Sequence, residues 1–105
     1  MEEISIKINE MQSERNYLIS YIDDLNRQLK EIDEECQETN KRYDRYIYSN
    51  SITEIERAEF YSKKNEANGR YEDYYETISE NIKKINNQIE ELGYKIRKMS
   101  LEMEK

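Results

Sequence analysis

The sequence predicts an all-α fold, a long antiparallel two-helix hairpin of coiled-coil type with its turn near residues 49-52. Three observations predict it. The chain has 105 residues with no Pro and no Val, and only two Gly, Gly69 and Gly93, so nearly every position is permitted inside a helix. Two apolar stripes recur in steps of three and four, as one face of a supercoiled helix requires. A helix-start signal stands near the middle of the chain. Together they give one domain, residues 1-105, with a first helix over about 2-48 and a second over about 52-104.

The first stripe runs from Ile4 through Ile8, Met11, Arg15, Leu18, Ile22, Leu25, Leu29, Ile32, Cys36, Thr39, Tyr43 and Tyr46. With Ile8 at position a, every a and d site is apolar or aromatic except Arg15 and Thr39. A two-residue alternation, the strand signal, covers only Ile4 to Ile8 and yields to the much longer helical pattern. The second stripe runs through Tyr71, Tyr75, Ile78, Ile82, Ile85, Ile89, Leu92, Ile96, Met99 and Met103. Projected backwards, it places Asn68, Lys64, Tyr61 and Arg57 on the seam, whereas the apolar residues there are Ile52, Ile55, Ala58, Phe60 and Tyr61. The two patterns are therefore out of phase over about 55-68. The expected hairpin core is Ile8, Leu18, Ile22, Leu25, Leu29 and Ile32 on the first helix. On the second it is Tyr71, Tyr75, Ile78, Ile82, Ile85, Ile89, Leu92 and Ile96.

Between the stripes, Ser51 and Glu54 fit the S-x-x-E capping box, in which the Ser oxygen accepts from the third amide of a new helix. The competing turn, at Asn68-Gly69, would leave arms of unequal length and strand the seam from Ile4 to Leu29 without a partner. A turn near 50 makes the arms equal.

Charge and residue chemistry narrow the function. Asp and Glu number 24 against 17 Lys and Arg, a net charge of -7, which speaks against nucleic acid and anionic membrane surfaces. No run of about 18 apolar residues is present, and the start Met1-Glu2-Glu3-Ile4 is acidic, so neither membrane insertion nor a secretory signal is expected. The expected location is the cytoplasm, with any export following a route independent of a signal peptide. His is absent and Cys36 is the single cysteine. Zinc sites of the usual kind, Ser-His-Asp triads and Cys-His dyads cannot be assembled, and no catalytic residue, metal or cofactor is expected. Cys36, at an a site, reads as a small core residue. The acidic run Glu31, Asp33, Glu34, Glu35 and Glu38 lacks calcium-loop spacing and reads as a solvated face.

What remains is binding. The e sites of the second stripe are Ser79, Asn86, Gly93 and Ser100 in place of the paired charges of a self-sufficient zipper, and small residues let another backbone approach. Eight of the eleven aromatics fall between residues 43 and 75. Tyr43, Tyr46, Tyr71 and Tyr75 fit the seam. Tyr48, Phe60, Tyr61 and Tyr74 lie off it and, with Ser79, Asn86 and Gly93, are the candidate partner-binding residues. Arg15, Lys64 and Asn68 would be buried without mates in a closed pair, unless those heptads are open or a partner supplies the counter-groups.

An acidic helical hairpin of this size with a mid-chain turn resembles the small helical proteins of Gram-positive type VII secretion. The Trp-x-Gly turn of one subfamily is missing, Asn50-Ser51 standing in its place. The chain is more similar to the accessory and targeting proteins that pair with LXG-domain toxins, on the aromatic pair in Glu59-Phe60-Tyr61 opening the second arm and the coiled segment Ile78 to Met103 closing it. The tail Met99 to Lys105 lacks the Phe-x-x-x-Asp signal carried by one type of such partner, so the resemblance implies the other, non-signal type. It implies a non-catalytic adaptor or chaperone. Its partners would be a larger toxin with a helical N-terminal domain and a second small helical accessory protein. The alternative is a structural or scaffold protein that homodimerises into a four-helix bundle. A nucleic-acid mimic is disfavoured because both signs of charge interleave.

Overall fold

The computed structural model describes residues 2-104. The described residues form two α-helices, α1 over Glu2–Ile47 and α2 over Glu54–Glu104, and no strand occurs among them. The fold is an all-α helical hairpin. Both helices begin with the acidic residues that a helix dipole favours, Glu2 and Glu3 in α1 and Glu54 and Glu56 in α2, and α1 carries Arg45 in its last turn.

The turn, residues 48-53, forms without glycine, and no described residue takes a positive φ. The Tyr48 amide still bonds the Asp44 carbonyl at 2.9 Å, and the Ser49 amide tightens onto Tyr46 at 3.2 Å. The Ser51 amide then donates to the Ser49 hydroxyl at 3.2 Å. The cap of α2 is Thr53, two residues later than the Ser51 box predicts. Its Oγ1 accepts from the Glu56 amide at 3.2 Å and donates to the Glu56 carboxylate at 3.1 Å. Thr53-x-x-Glu56 is the same capping pattern in a shifted frame, and the Arg57 amide makes the first helical bond to the Thr53 carbonyl at 3.0 Å. Arg57 also reaches back across the turn. Its guanidinium donates to the carbonyls of Ile47 and Ser49, satisfying acceptors that the end of α1 leaves open, while Glu54 lies 3.5 Å from its Nε.

The chain divides into two compact units. The turn unit is Arg27–Ser79, and the terminal unit is Met1–Asn26 with Glu80–Lys105. In the turn unit, antiparallel pairing is fixed by side-chain bonds between the helices. Lys64 Nζ donates to Asp44 at 2.8 Å, the Cys36 thiol to Asn68 Oδ1 at 3.3 Å, and Thr39 and Tyr71 share a hydroxyl bond of 3.1 Å. In the terminal unit Arg15 faces Gly93, while Lys7, Glu10 and Met11 share a groove with Lys95, Lys98, Met99 and Glu102.

On α1 the described side chains turn inward where the heptads place them, but shallowly. Ile8, Leu18, Ile22, Leu29 and Ile32 are half-buried, and Leu25 is buried. On α2, Tyr71, Ile78, Ile82, Ile85, Ile89, Leu92 and Ile96 are half-buried. Tyr75 departs from the expected core: it is 47% exposed, at a groove that it lines with Ile32, Cys36 and Tyr71. Near the turn the first stripe shifts by one residue, so that Ile47 is buried and Tyr46 is exposed. The second stripe continues back through Arg57, Lys64 and Asn68, all half-buried, with Phe60 half-buried where Tyr61 is exposed, and Ala67 buried. The polar residues at 57, 64 and 68 thus find their mates inside the chain. Gly69 lies within α2, exposed, with nothing within 4 Å of the position a Cβ would take.

Candidate functional site

The turn unit gathers aromatic side chains on its outside. Ile47 occupies the buried position at the end of α1, and consecutive helix residues point about 100° apart. Tyr46 is thereby thrown outward, where its ring stacks on Phe60 with centroids 4.9 Å apart and planes 12° from parallel. Tyr48, the first residue past α1, is 72% exposed. Tyr61, displaced from the seam by Phe60, is exposed as well, and so is Ile55 in the first turn of α2.

Polar contacts tie this surface to the turn. A side-chain hydrogen bond with Tyr61 holds the Tyr48 phenol above its ordinary value, with the charges of Tyr61 and Asp44 acting the same way. The hydrogen bond to Asp44 likewise raises the Lys64 ammonium, against a smaller opposing effect of burial. Asp44 and Lys64 thus lock the two helices together, and the paired phenols sit beside that lock. Tyr46, Phe60, Tyr48, Tyr61 and Ile55 offer flat apolar area with two hydroxyl tips.

The remaining candidate residues lie elsewhere. Tyr74 is 63% exposed but follows Phe60 by fourteen residues, about 20 Å along the same helix. Ser79 is half-buried at the edge of the turn unit. Asn86, exposed, and Gly93, half-buried, belong to the terminal unit. There a Cβ added at Gly93 would meet Arg15 Nε at 3.6 Å, an ordinary contact. Tyr17 and Tyr21, one turn apart on α1, stack with centroids 6.5 Å apart.

Sequence reasoning missed Tyr46, Ile55 and the Asp44–Lys64 pair. Tyr46 and Ile47 are adjacent and both apolar enough for the seam, so only the turn geometry decides between them. Asp44 and Lys64 become partners only once the register of the two helices is set.

No group of three or more potential metal ligands occurs among the described residues, and no helix is long and apolar enough to cross a membrane. Cys36 spends its thiol hydrogen on Asn68 and accepts from Asn40 at 3.7 Å. No known family model, characterised protein or solved structure matches the chain.

Proposed function

We propose that this protein is a non-catalytic adaptor that binds a helical segment of a larger protein through the aromatic surface of its turn unit. One observation carries the reading. Among the described residues only Leu25, Ile47 and Ala67 are buried hydrophobics, while Tyr46, Tyr48, Ile55, Tyr61, Tyr74 and Tyr75 of the turn unit stay exposed. Side chains of this type gain most from being covered, and aromatic residues anchor protein interfaces because they bring large contact area at small rotamer cost. A helix laid on this surface would bury its own apolar stripe against Tyr46, Phe60 and Ile55, with the phenols of Tyr48 and Tyr61 bonding at the rim.

The occupant implied by the sequence resemblance is the N-terminal helical domain of an LXG-type toxin, which the adaptor would keep soluble and help target to type VII secretion. The test is affinity purification of the tagged chain from its host at moderate salt, with the recovered protein then expressed and the pair rebuilt from purified components. Recovery of a larger protein with a helical N-terminal domain supports the adaptor. Recovery of this chain alone replaces it with the homodimeric scaffold.

A further inference from the structure

The turn unit carries an open groove between its two helices, apart from the aromatic surface at the turn. Ile32 and Cys36 of α1 line it together with Tyr71 and Tyr75 of α2. The first three are half-buried, and Tyr75 is 47% exposed. Tyr75 follows Tyr61 by fourteen residues, about 20 Å along α2, so the groove and the corner of paired phenols are separate places.

The rims decide what suits this groove. Its charged lining is Asp33 on α1 and Glu72 on α2, one exposed carboxylate from each helix. The surroundings have the same sign. Residues 31-40 carry five carboxylates and residues 71-79 three, with no Lys or Arg in either stretch. The Cys36–Asn68 and Thr39–Tyr71 bonds bring the two stretches to one level of the hairpin. Among the described residues no cation pairs with Asp33 or Glu72, and the Gln37 amide approaches Asp33 only to 3.5 Å. An exposed ring between two unpaired carboxylates matches a cover that is apolar along its middle and cationic along both edges, whereas an acidic cover would set like charges against each other.

We propose that this groove receives a basic amphipathic helix of the partner protein. Its apolar stripe packs on Ile32 and the Tyr75 ring, and Lys or Arg residues on either side of that stripe pair with Asp33 and Glu72. Residues that flank an apolar stripe, the e and g positions of a coiled coil, are the ones that reach the neighbouring helices. The charge of the partner thus becomes part of its recognition, which governs association rate and specificity more than raw affinity. This inference rests on the adaptor reading for the existence of a helical partner, and it adds the chemistry of that helix and a second place of contact.

Fluorescence anisotropy of a labelled peptide titrated with the full chain tests it. The probe is a synthetic helix of about 18 residues, or five turns, with Leu in its stripe, Lys on both flanks and Ala elsewhere. A second peptide has Glu in place of Lys. The expected result is saturable binding of the Lys peptide, weakened by added salt, and none of the Glu peptide. D33K/E72K should weaken that binding roughly tenfold or more. E14K/E90K makes the same change in net charge at exposed residues of the terminal unit, and should weaken it by less than about threefold, as screened distant charges do. Tyr75→Ala, with helicity checked by circular dichroism, should also weaken it roughly tenfold. Equal losses in the two lysine variants overturn the proposal, because they leave only attraction to the net charge. Equal binding of the two peptides overturns it too, as does full affinity in Tyr75→Ala; if Tyr75→Ala fails to fold, the lysine variants decide. With the helical domain recovered from the host as ligand, a loss in Tyr48→Ala/Tyr61→Ala and none in D33K/E72K keeps the adaptor reading and discards this one.

Discussion

Gly69 shows what a single residue contributes when nothing touches it. It sits exposed inside α2, and a Cβ there would meet no atom within 4 Å. Glycine in a helix interior costs about 0.5 to 1 kcal/mol relative to alanine, because the unfolded backbone has more freedom to lose. Gly69→Ala should therefore raise the unfolding free energy by about that amount in a urea titration followed by circular dichroism, with the slope unchanged. Lys64 gives the opposite kind of case, a residue defined by its partner. Its ammonium is raised above the ordinary 10.5, chiefly by the bond to Asp44. A raised value in the folded state means that the contribution is fully present below about pH 10.5 and is lost as pH rises through the folded value. The Tyr48 phenol, raised above the ordinary 10.0, shifts stability in the same direction. Asp44→Asn should lower stability at neutral pH, and the gap to the wild type should close in strongly alkaline solution. A gap that is constant with pH would mean that the pair contributes nothing through charge.

The elements were legible in the sequence to different depths, for reasons that lie in particular residues. On α1 the seam from Ile8 to Tyr43 could be read directly, since one apolar stripe in steps of three and four admits one inward face. At its end, Tyr46 and Ile47 offered two choices, and the bonds of the turn select Ile47. The start of α2 was ambiguous because Ser51-x-x-Glu54 and Thr53-x-x-Glu56 are both capping boxes. Local pattern ranks them equally, and the reach of Arg57 to the carbonyls of Ile47 and Ser49 favours the later one. Thr53→Ala should thus cost about 1 kcal/mol, within the 0.5 to 2 kcal/mol range of lost caps. Ser51→Ala should cost much less, and the reverse order in matched thermal melts would put the cap at Ser51. The partners of Lys64, Asn68 and Arg57 could not be read either, because each lies on the other helix or across the turn and appears only once the hairpin register is set.

For the whole molecule, the thin core is the governing fact. With three buried hydrophobic residues among those described and a half-buried seam, no large reserve of burial stands behind any one contact. Ile85→Asp, in the middle of the second stripe, should collapse the helical signal of the free chain, since a lone carboxylate there would be half-desolvated without a mate; unchanged melting would place that stripe in solvent. The aromatic surface of the turn unit was legible as a concentration of Tyr and Phe between residues 43 and 75. Tyr48, Tyr61 and Tyr74, read as lying off the seam, are exposed, whereas Tyr46 and Tyr75, read as seam residues, are exposed too.

The adaptor reading stands or falls on whether that surface binds. The most direct measurement is a calorimetric titration of the purified chain with the helical domain recovered from its host, beside the variant Tyr48→Ala/Phe60→Ala/Tyr61→Ala. Phe60→Ala removes a ring stack worth about 0.5 to 1.5 kcal/mol to the fold, so helicity is checked first by circular dichroism. With helicity retained, the account predicts saturable binding by the wild type and a loss of affinity of roughly tenfold or more in the variant. Equal affinity in the two proteins would contradict it.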